Sequence, residues 1–404
     1  MTTSNTTDRY GSVAKSFHWL MALLILTLIP MGLIANALPY DSSQQLAQKA
    51  FVFSLHKTLG VTAFFVALAR IGWALGQPKP GLLHPDRKLE SLAAETIHWL
   101  LYGSLVAVPL SGWIHHAATT GFAPIWWPFG QNLPLVPKSE SLAATFAGGH
   151  WVLTKVLALS ISLHIAGALK HHIIDKDMTL PRMWFGNPAL PETHSTHKHT
   201  GPLAAALTIW ILALSGGAAL GVYAPHGVHI KAAELKAVQS DWQVQEGTLS
   251  IAVVQMGAEV TGTFADWTAA ISFDETVTDG VAGDVDVTVA IGSLTLGAVT
   301  DQAMGADYFD LAEFPTARFL ADIVQVSDVY VAKGTLTIKD QSVQISLPFN
   351  LSLDGDTATV NGSLSVDRLA FGIGTNMADE ASLMFNVGIT VALTATRAAP
   401  VSDQ

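Results

Sequence analysis

The sequence predicts a five-helix membrane bundle followed by an antiparallel β-barrel. Half of the 404 residues are hydrophobic and only 13% are charged, too apolar for one ordinary soluble domain. Five apolar stretches near the length of a membrane span crowd the first 223 residues. Beyond them the hydrophobic period changes from helical to alternating. Charge divides at the same place: residues 1–230 carry 14 Lys+Arg against 9 Asp+Glu, and residues 231–404 carry 7 against 23. Cysteine is absent, so disulfides and thiolate metal sites are excluded.

The helical stretches are Phe17–Leu38, Phe51–Leu75, Thr96–Ala118, His150–Ile174 and Pro202–Tyr223. The first is too long for a signal peptide and has no small-x-small cleavage site before Tyr40, so a retained helix is expected. Arg9, Lys15, Arg70, Lys79, Arg87, Lys88, Lys170, Lys176, Arg182 and Lys198 fall on one side, and only Lys49, Lys57, Lys138 and Lys155 on the other. The positive-inside rule then places the N-terminus in the cytoplasm. An odd number of spans puts the chain after Tyr223 outside, in the periplasm of a Gram-negative cell. "PETHSTHKHT", between helices four and five, reads as a solvated linker.

After "APHGVHIKAAELKAVQSDW", eight alternating segments follow, from "WQVQEGTLSIAVV" to "SLMFNVGITVALTAT", separated by Gly, Asp and Asn turns. About eight antiparallel strands favour a closed barrel or a sandwich, and eight strands can enclose one small ligand.

Titratable rings are costly in hydrocarbon and mark function there. His150 and His164 stand fourteen residues apart on helix four, which leaves them about 40° apart on one face with a rise of about 21 Å. That separation suits two haems stacked across a bilayer, each needing a second ligand from another helix. Depth pairs His18 with His164 toward the cytoplasm and His56 with His150 toward the periplasm. Bis-histidine ligation leaves no open position on the iron and favours electron transfer. His171 and His172 lie at headgroup level, with a solvated or propionate-bonding role expected. His98, His115 and His116, near the ends of helix three, have no equivalent pairing. Four packing histidines that merely happen to match by depth are the weaker account.

"KSFHWLMALLILTLIPMG", "SLHKTLGVTAFFVALARIGW" and "HWVLTKVLALSISLHIAGALKHH" closely resemble the bacterial cytochrome b-561 family, a four-helix di-haem membrane fold. The resemblance implies two haem b groups with His18, His56, His150 and His164 as ligands to the haem iron. Gly60 and Gly167 are candidates to admit a porphyrin edge. Lys57, Lys155, Arg9, Lys15 and Arg70 are candidates to neutralise propionates or to snorkel to headgroups. "VVQMGAEVTGTFADWTAAISFD", "DYFDLAEFPTARF" and "DRLAFGIG" resemble the YceI-like proteins, lipocalin-like barrels that hold a polyisoprenoid such as a quinone tail. Phe309, Phe314 and Phe319 either line such a tunnel or close the barrel core.

The expected division is 1–185 as the di-haem bundle, 186–239 as linker, fifth helix and tether, and 240–396 as a lipocalin-like barrel. The resemblance implies an inner-membrane oxidoreductase that oxidises superoxide to oxygen and reduces ubiquinone, with ubiquinone or another isoprenoid in the barrel. Lys57, Lys138 and Lys155 are candidates for a positive approach path, set against a C-terminal half of net charge −16 (7 Lys+Arg, 23 Asp+Glu) that repels an anion. Two other readings stand beside it: a quinol-oxidising cytochrome reducing a periplasmic acceptor, and an isoprenoid-binding module on a haem-containing anchor. Membrane lipid is an expected partner; nucleic acid is not.

Overall fold

The computed structural model describes residues 2–84, 86–119, 123–186, 200–224, 232–277, 279–326 and 329–398. The chain divides into two compact units. One holds residues 1–38, 49–119 and 123–226; the other holds 39–48, 120–122 and 227–404. The three histidines of the linker between helices four and five lie outside the described residues.

The first unit is built on α1 (Ser12–Ala37), α2 (Ser43–Leu75), α3 (Lys88–Ala118), α4 (Glu140–Lys170) and α5 (Thr200–Ala219). All five are long and apolar enough to cross a membrane. α2 and α4 start well before their apolar stretches, because polar residues at membrane edges still take helical backbone. His56 consequently sits in the fourth turn of α2. Ser139 caps α4 by accepting the Leu142 N–H. A π-helical turn, His171–Asp175, extends α4 and ends at Lys176 in the left-handed region (φ 53°).

Met21 and Ile25 of α1, Ala67 of α2, Leu105 of α3 and Leu157 of α4 form one buried cluster. The opposite faces expose large apolar side chains such as Leu23, Leu26, Leu33, Leu159 and Leu163. Such stripes would be a liability in water and are what a lipid-facing surface requires. The fifth helix packs on α3 and α4: Trp210 of α5 donates its Nε1–H to Ser104 Oγ of α3 at 3.3 Å.

The second unit carries ten antiparallel strands: β1 (Trp242–Gln255), β2 (Ala258–Phe264), β3 (Trp267–Phe273), β4 (Gly280–Ala290), β5 (Leu294–Thr295), β6 (Thr316–Val326), β7 (Val329–Ile338), β8 (Gln341–Asp354), β9 (Thr357–Asp367) and β10 (Asn386–Arg397). Their order is β3-β4-β6-β7-β8-β9-β10-β1-β2-β5. All eight expected strands are present. The second is broken at Ala265–Asp266 into β2 and β3, and the two-residue β5 is additional.

The break lets the curled sheet turn on itself. β2 pairs with the C-terminal half of β1, from Leu249 to Gln255. β3 approaches the start of β1, where Asp241 N–H donates to Ile271 O at 3.0 Å. A Cβ at Gly247 would fall 2.6 Å from the Trp267 ring, so glycine leaves that ring its room. Bulges at Val244/Glu246 and Val281/Gly283 add local twist. Strict alternation turns Val285, Val287 and Val289 of β4 inward with Val387, Ile389, Val391 and Leu393 of β10.

Candidate functional site

Two levels of imidazoles occupy the helical unit. At one, the rings of His18 and His164 lie with centroids 6.1 Å apart, tilted by 61°. At the other, His56 faces α1 and His150 faces α3. A Cβ at Gly32 would lie 2.9 Å from His56 Cε1, and one at Gly112 would lie 3.0 Å from His150 Nδ1. Gly32 is fourteen residues beyond His18 on α1, and His150 is fourteen before His164 on α4. Each interval is a rise of about 21 Å along a helix. The Met21, Ile25 and Leu157 cluster lies along both intervals.

The donor set fits haem. The Leu28 carbonyl of α1 is the backbone hydrogen-bond partner of the buried His56 ring, four residues before the Gly32 that the ring packs against. His150 Nδ1 lies 2.9 Å from the Val108 carbonyl, which directs Nε2 to a metal, the usual outer-shell device for an imidazole ligand. Gly32 and Gly112 leave flat clearances against these rings that any side chain would fill. No Cβ built at Gly60 or Gly167 meets an atom within 4 Å, so both face open space.

His98 is the residue sequence reasoning set aside too readily. Its ring lies 5.2 Å from that of His164, so it does sit across the bundle at the His18 level. The sequence reading started helix three at Thr96, which put His98 at its end; α3 starts at Lys88, ten residues before His98. The rings of His115 and His116 lie with centroids 4.6 Å apart, tilted by 54°, and His115 Nδ1 bonds the Ala143 carbonyl at 2.9 Å.

The cationic candidates are mostly engaged. Lys15 is buried and donates to Trp184 O at 2.7 Å, which ties the segment after α4 to α1. Lys57 donates to Ala123 O at 2.6 Å. Lys138 caps α3 through Ala117 O and Thr119 O at 2.9 and 2.8 Å. Lys155 lies over the Trp151 ring at 5.2 Å, and Arg70 over Tyr102 at 5.1 Å.

At the far end of α4 the sequence also missed a network. His171 Nδ1 and His84 Nε2 both meet Asp177 Oδ2, at 2.7 and 2.9 Å, and the two rings stack. Burial alone would raise the Asp177 pKa. Hydrogen bonds from Thr179, His171 and His84 outweigh it and bring the value down to about 2. His84, His171 and Asp177 are spaced as cation ligands, as are Glu90, His171 and Asp175. Arg87 and Lys170 already bond Asp175 at 3.0 and 2.7 Å, so the second group is neutralised by the chain itself.

The barrel encloses a cavity of about 290 Å³, lined on every long strand by apolar side chains. Phe309 and Phe319 line it; Phe314 does not, because the Pro315 turn carries it off the inward side. Gln255, Gln302, Tyr308 and Arg368 also stand along it, but the cavity surface itself is apolar throughout.

An apolar multi-helix bundle with buried imidazoles at two levels has the make-up of a membrane electron-transfer cytochrome, here joined to a curled sheet built around an apolar tunnel. Comparison with known proteins sharpens this. Residues 9–186 match the family described as prokaryotic cytochrome b561, and residues 240–396 match the YceI-like domain. "Cytochrome b561 homolog 2" of Escherichia coli (strain K12) is 34% identical over 186 residues, 45% of this chain and 95% of that protein. "Probable superoxide oxidase CybB" of Yersinia pestis is 25% identical over 176 residues, 43% of this chain and 95% of that protein. The crystal structure of Burkholderia cenocepacia BcnA aligns with 39% of this chain and 100% of its own at 29% identity, with a TM-score of 0.36. The chain belongs to the prokaryotic cytochrome b561 family and carries a C-terminal YceI-like domain. Membership implies haem b, oxidoreductase activity and a multi-pass place in the bacterial inner membrane, and the YceI-like domain implies an isoprenoid or lipid ligand.

Proposed function

We propose that the protein oxidises superoxide and reduces ubiquinone, with two haem b groups held by His18–His164 and His56–His150. The carrying observation is the two-level arrangement: imidazoles at each level, with glycine clearances beside His56 and His150. Haem b between two imidazoles supplies one-electron chemistry with no open position for a ligand. The chain's own residues orient the rings, as Val108 O does for His150, and keep water from the Met21–Leu157 layer between the levels. Two superoxide ions and one quinone, with two protons from solvent, give two oxygen molecules and one quinol. The name of the Yersinia pestis relative supports the superoxide half of this reaction. Lys155, exposed on α4 five residues from His150, is the candidate attracting charge.

Under a steady enzymatic flux of superoxide, ubiquinol should accumulate at one per two superoxide ions consumed. Superoxide decaying at its spontaneous rate with no quinol formed would reject the reaction. The excess of 23 acidic over 7 basic residues in 231–404 favours a second reading, quinol oxidation with electrons passed to a cationic periplasmic acceptor.

The orientation proposed is N-terminus inside and barrel in the periplasm, on the charge of the loops. A reporter active only in the periplasm, fused after Gln404, should be active. Removing 200–223 should silence it by returning the C-terminus to the cytoplasm. Activity in the shortened fusion, or silence in the full one, would overturn the five-span orientation.

A further inference from the structure

A further group of imidazoles and carboxylates lies beyond the His18–His164 level, and the four proposed haem ligands leave it unused. His171 stands seven residues past His164, a rise of about 10 Å on nearly the same helix face. The π-helical turn His171–Asp175 and the left-handed Lys176 then fold the chain back, so that the Asp177 N–H reaches His171 O at 3.1 Å. Such turns cost backbone energy and collect at functional positions. Here the turn sets the Asp177 carboxylate against the His171 ring.

Two imidazole nitrogens converge on one carboxylate oxygen. His171 Nδ1 lies 2.7 Å and His84 Nε2 lies 2.9 Å from Asp177 Oδ2. The other oxygen, Oδ1, accepts from the Thr179 N–H at 2.8 Å, which keeps Oδ2 for the two rings. On its far side, His171 Nε2 meets Glu90 Oε1 at 3.3 Å. Glu90 is anchored in turn by Lys170 and Arg87. A carboxylate on the far nitrogen of a ring is the usual outer shell of a histidine metal ligand, and it fixes the ring's orientation and basicity. The His84 side chain is 33% exposed, which leaves a way in from solvent.

The geometry points to a divalent cation of the zinc class held by His84 Nε2, His171 Nδ1 and Asp177 Oδ2, with solvent in the fourth position. Two imidazoles and one carboxylate suit zinc and its transition-metal neighbours, whereas magnesium and calcium take shells of oxygen. Ligands of tetrahedral zinc stand about 3.3 Å from one another, so each nitrogen–oxygen contact opens by about half an ångström to admit the ion. Each ring then carries its proton on the far nitrogen, and that of His171 is donated to Glu90. Glu90, Asp175 and Asp177 outnumber Arg87 and Lys170 by one charge, which favours a dication. The ion ties the connection before α3 to the end of α4.

The test uses the full-length, haem-loaded protein in detergent, without a histidine tag. His194, His197, His199, His226 and His229 are replaced by asparagine so that neither tether segment contributes a ligand. Equilibrium dialysis against Zn²⁺ should find one ion per chain, with Mg²⁺ unable to compete. X-ray absorption at the zinc edge, which haem iron does not obscure, should show two imidazoles per zinc at about 2.0–2.1 Å. In that background His84→Asn and Asp177→Asn should each weaken zinc binding by at least about a hundredfold, and Glu90→Gln by about tenfold. Unchanged pyridine haemochrome counts in these variants separate loss of a ligand from loss of the fold. Failure to bind stoichiometric zinc, or fewer than two imidazoles at the zinc edge, would overturn the proposal. Zinc affinity retained in His84→Asn would also overturn it, and would move the ion to Glu90, His171 and Asp175. The zinc-edge spectrum of the background protein decides even if a variant fails to fold.

Discussion

His56→Ala and His150→Ala should each leave about one haem per chain where wild type holds about two, and both should lose the same one. His18→Ala and His164→Ala should each lose the other. An iron left with a single imidazole has an open position and a weakened hold, and these sites lie in hydrocarbon, where no water replaces the ligand. Pyridine haemochrome counts give the stoichiometry, and redox titrations show whether the retained haem matches within each pair. The pairing follows from the bundle: His18 and His164 are 6.1 Å apart by ring centroid, while Gly32, fourteen residues along α1, meets His56. Two full haems retained in His164→Ala would contradict it. His98, with its ring 5.2 Å from that of His164, would then take the ligand's place.

Arg368→Met should unfold the barrel and leave the haem count unchanged. Arg368 is 3% exposed and donates to five carbonyls, at distances from 2.5 to 3.1 Å. These bonds pin the 373–384 segment across one end of the barrel. Methionine fills much of the volume but donates nothing. Each orphaned buried acceptor costs about 1–3 kcal/mol, so five together rival the whole stability of a domain, about 5–15 kcal/mol. Limited proteolysis should cut the variant throughout 240–396 at temperatures where wild type resists. A variant barrel melting within about 2 °C of wild type would show that the carbonyls find other donors.

What the sequence made legible follows from which constraints are local. The membrane fixes depth along each helix, so the spacing of His150 and His164 and the starting sides of helices one and two were enough to nominate four histidines. Alternation fixed the eight strands for the same reason. Features that depend on three elements meeting were not legible. Gly32 and Gly112 are ordinary membrane-helix glycines until the neighbouring imidazoles are in place. The break at Ala265–Asp266 shows only as a one-residue slip in the alternation, with Val260 and Phe264 inward before it and Trp267, Ala269, Ile271 and Phe273 after it. Lys15 and Lys57 look like headgroup or propionate cations until the carbonyls they bond are seen. Gln255 falls on the inward parity of Ile251 and Val253, but Gln243 and Gln245 share that parity in the sequence, and only the bulge at Val244/Glu246 sets them apart.

The central claim is that superoxide gives its electron to this bundle. Mixing the oxidised, quinone-free protein with a pulse of superoxide in a stopped-flow instrument, and following the haem absorption bands, tests it directly. The bands should move to the reduced form within the lifetime of the pulse, with two electron equivalents taken up per chain, and added ubiquinone should return them to the oxidised form. Bands that stay oxidised through the superoxide pulse, yet are reduced by ubiquinol under the same anaerobic conditions, would contradict the claim and reverse the direction of electron flow.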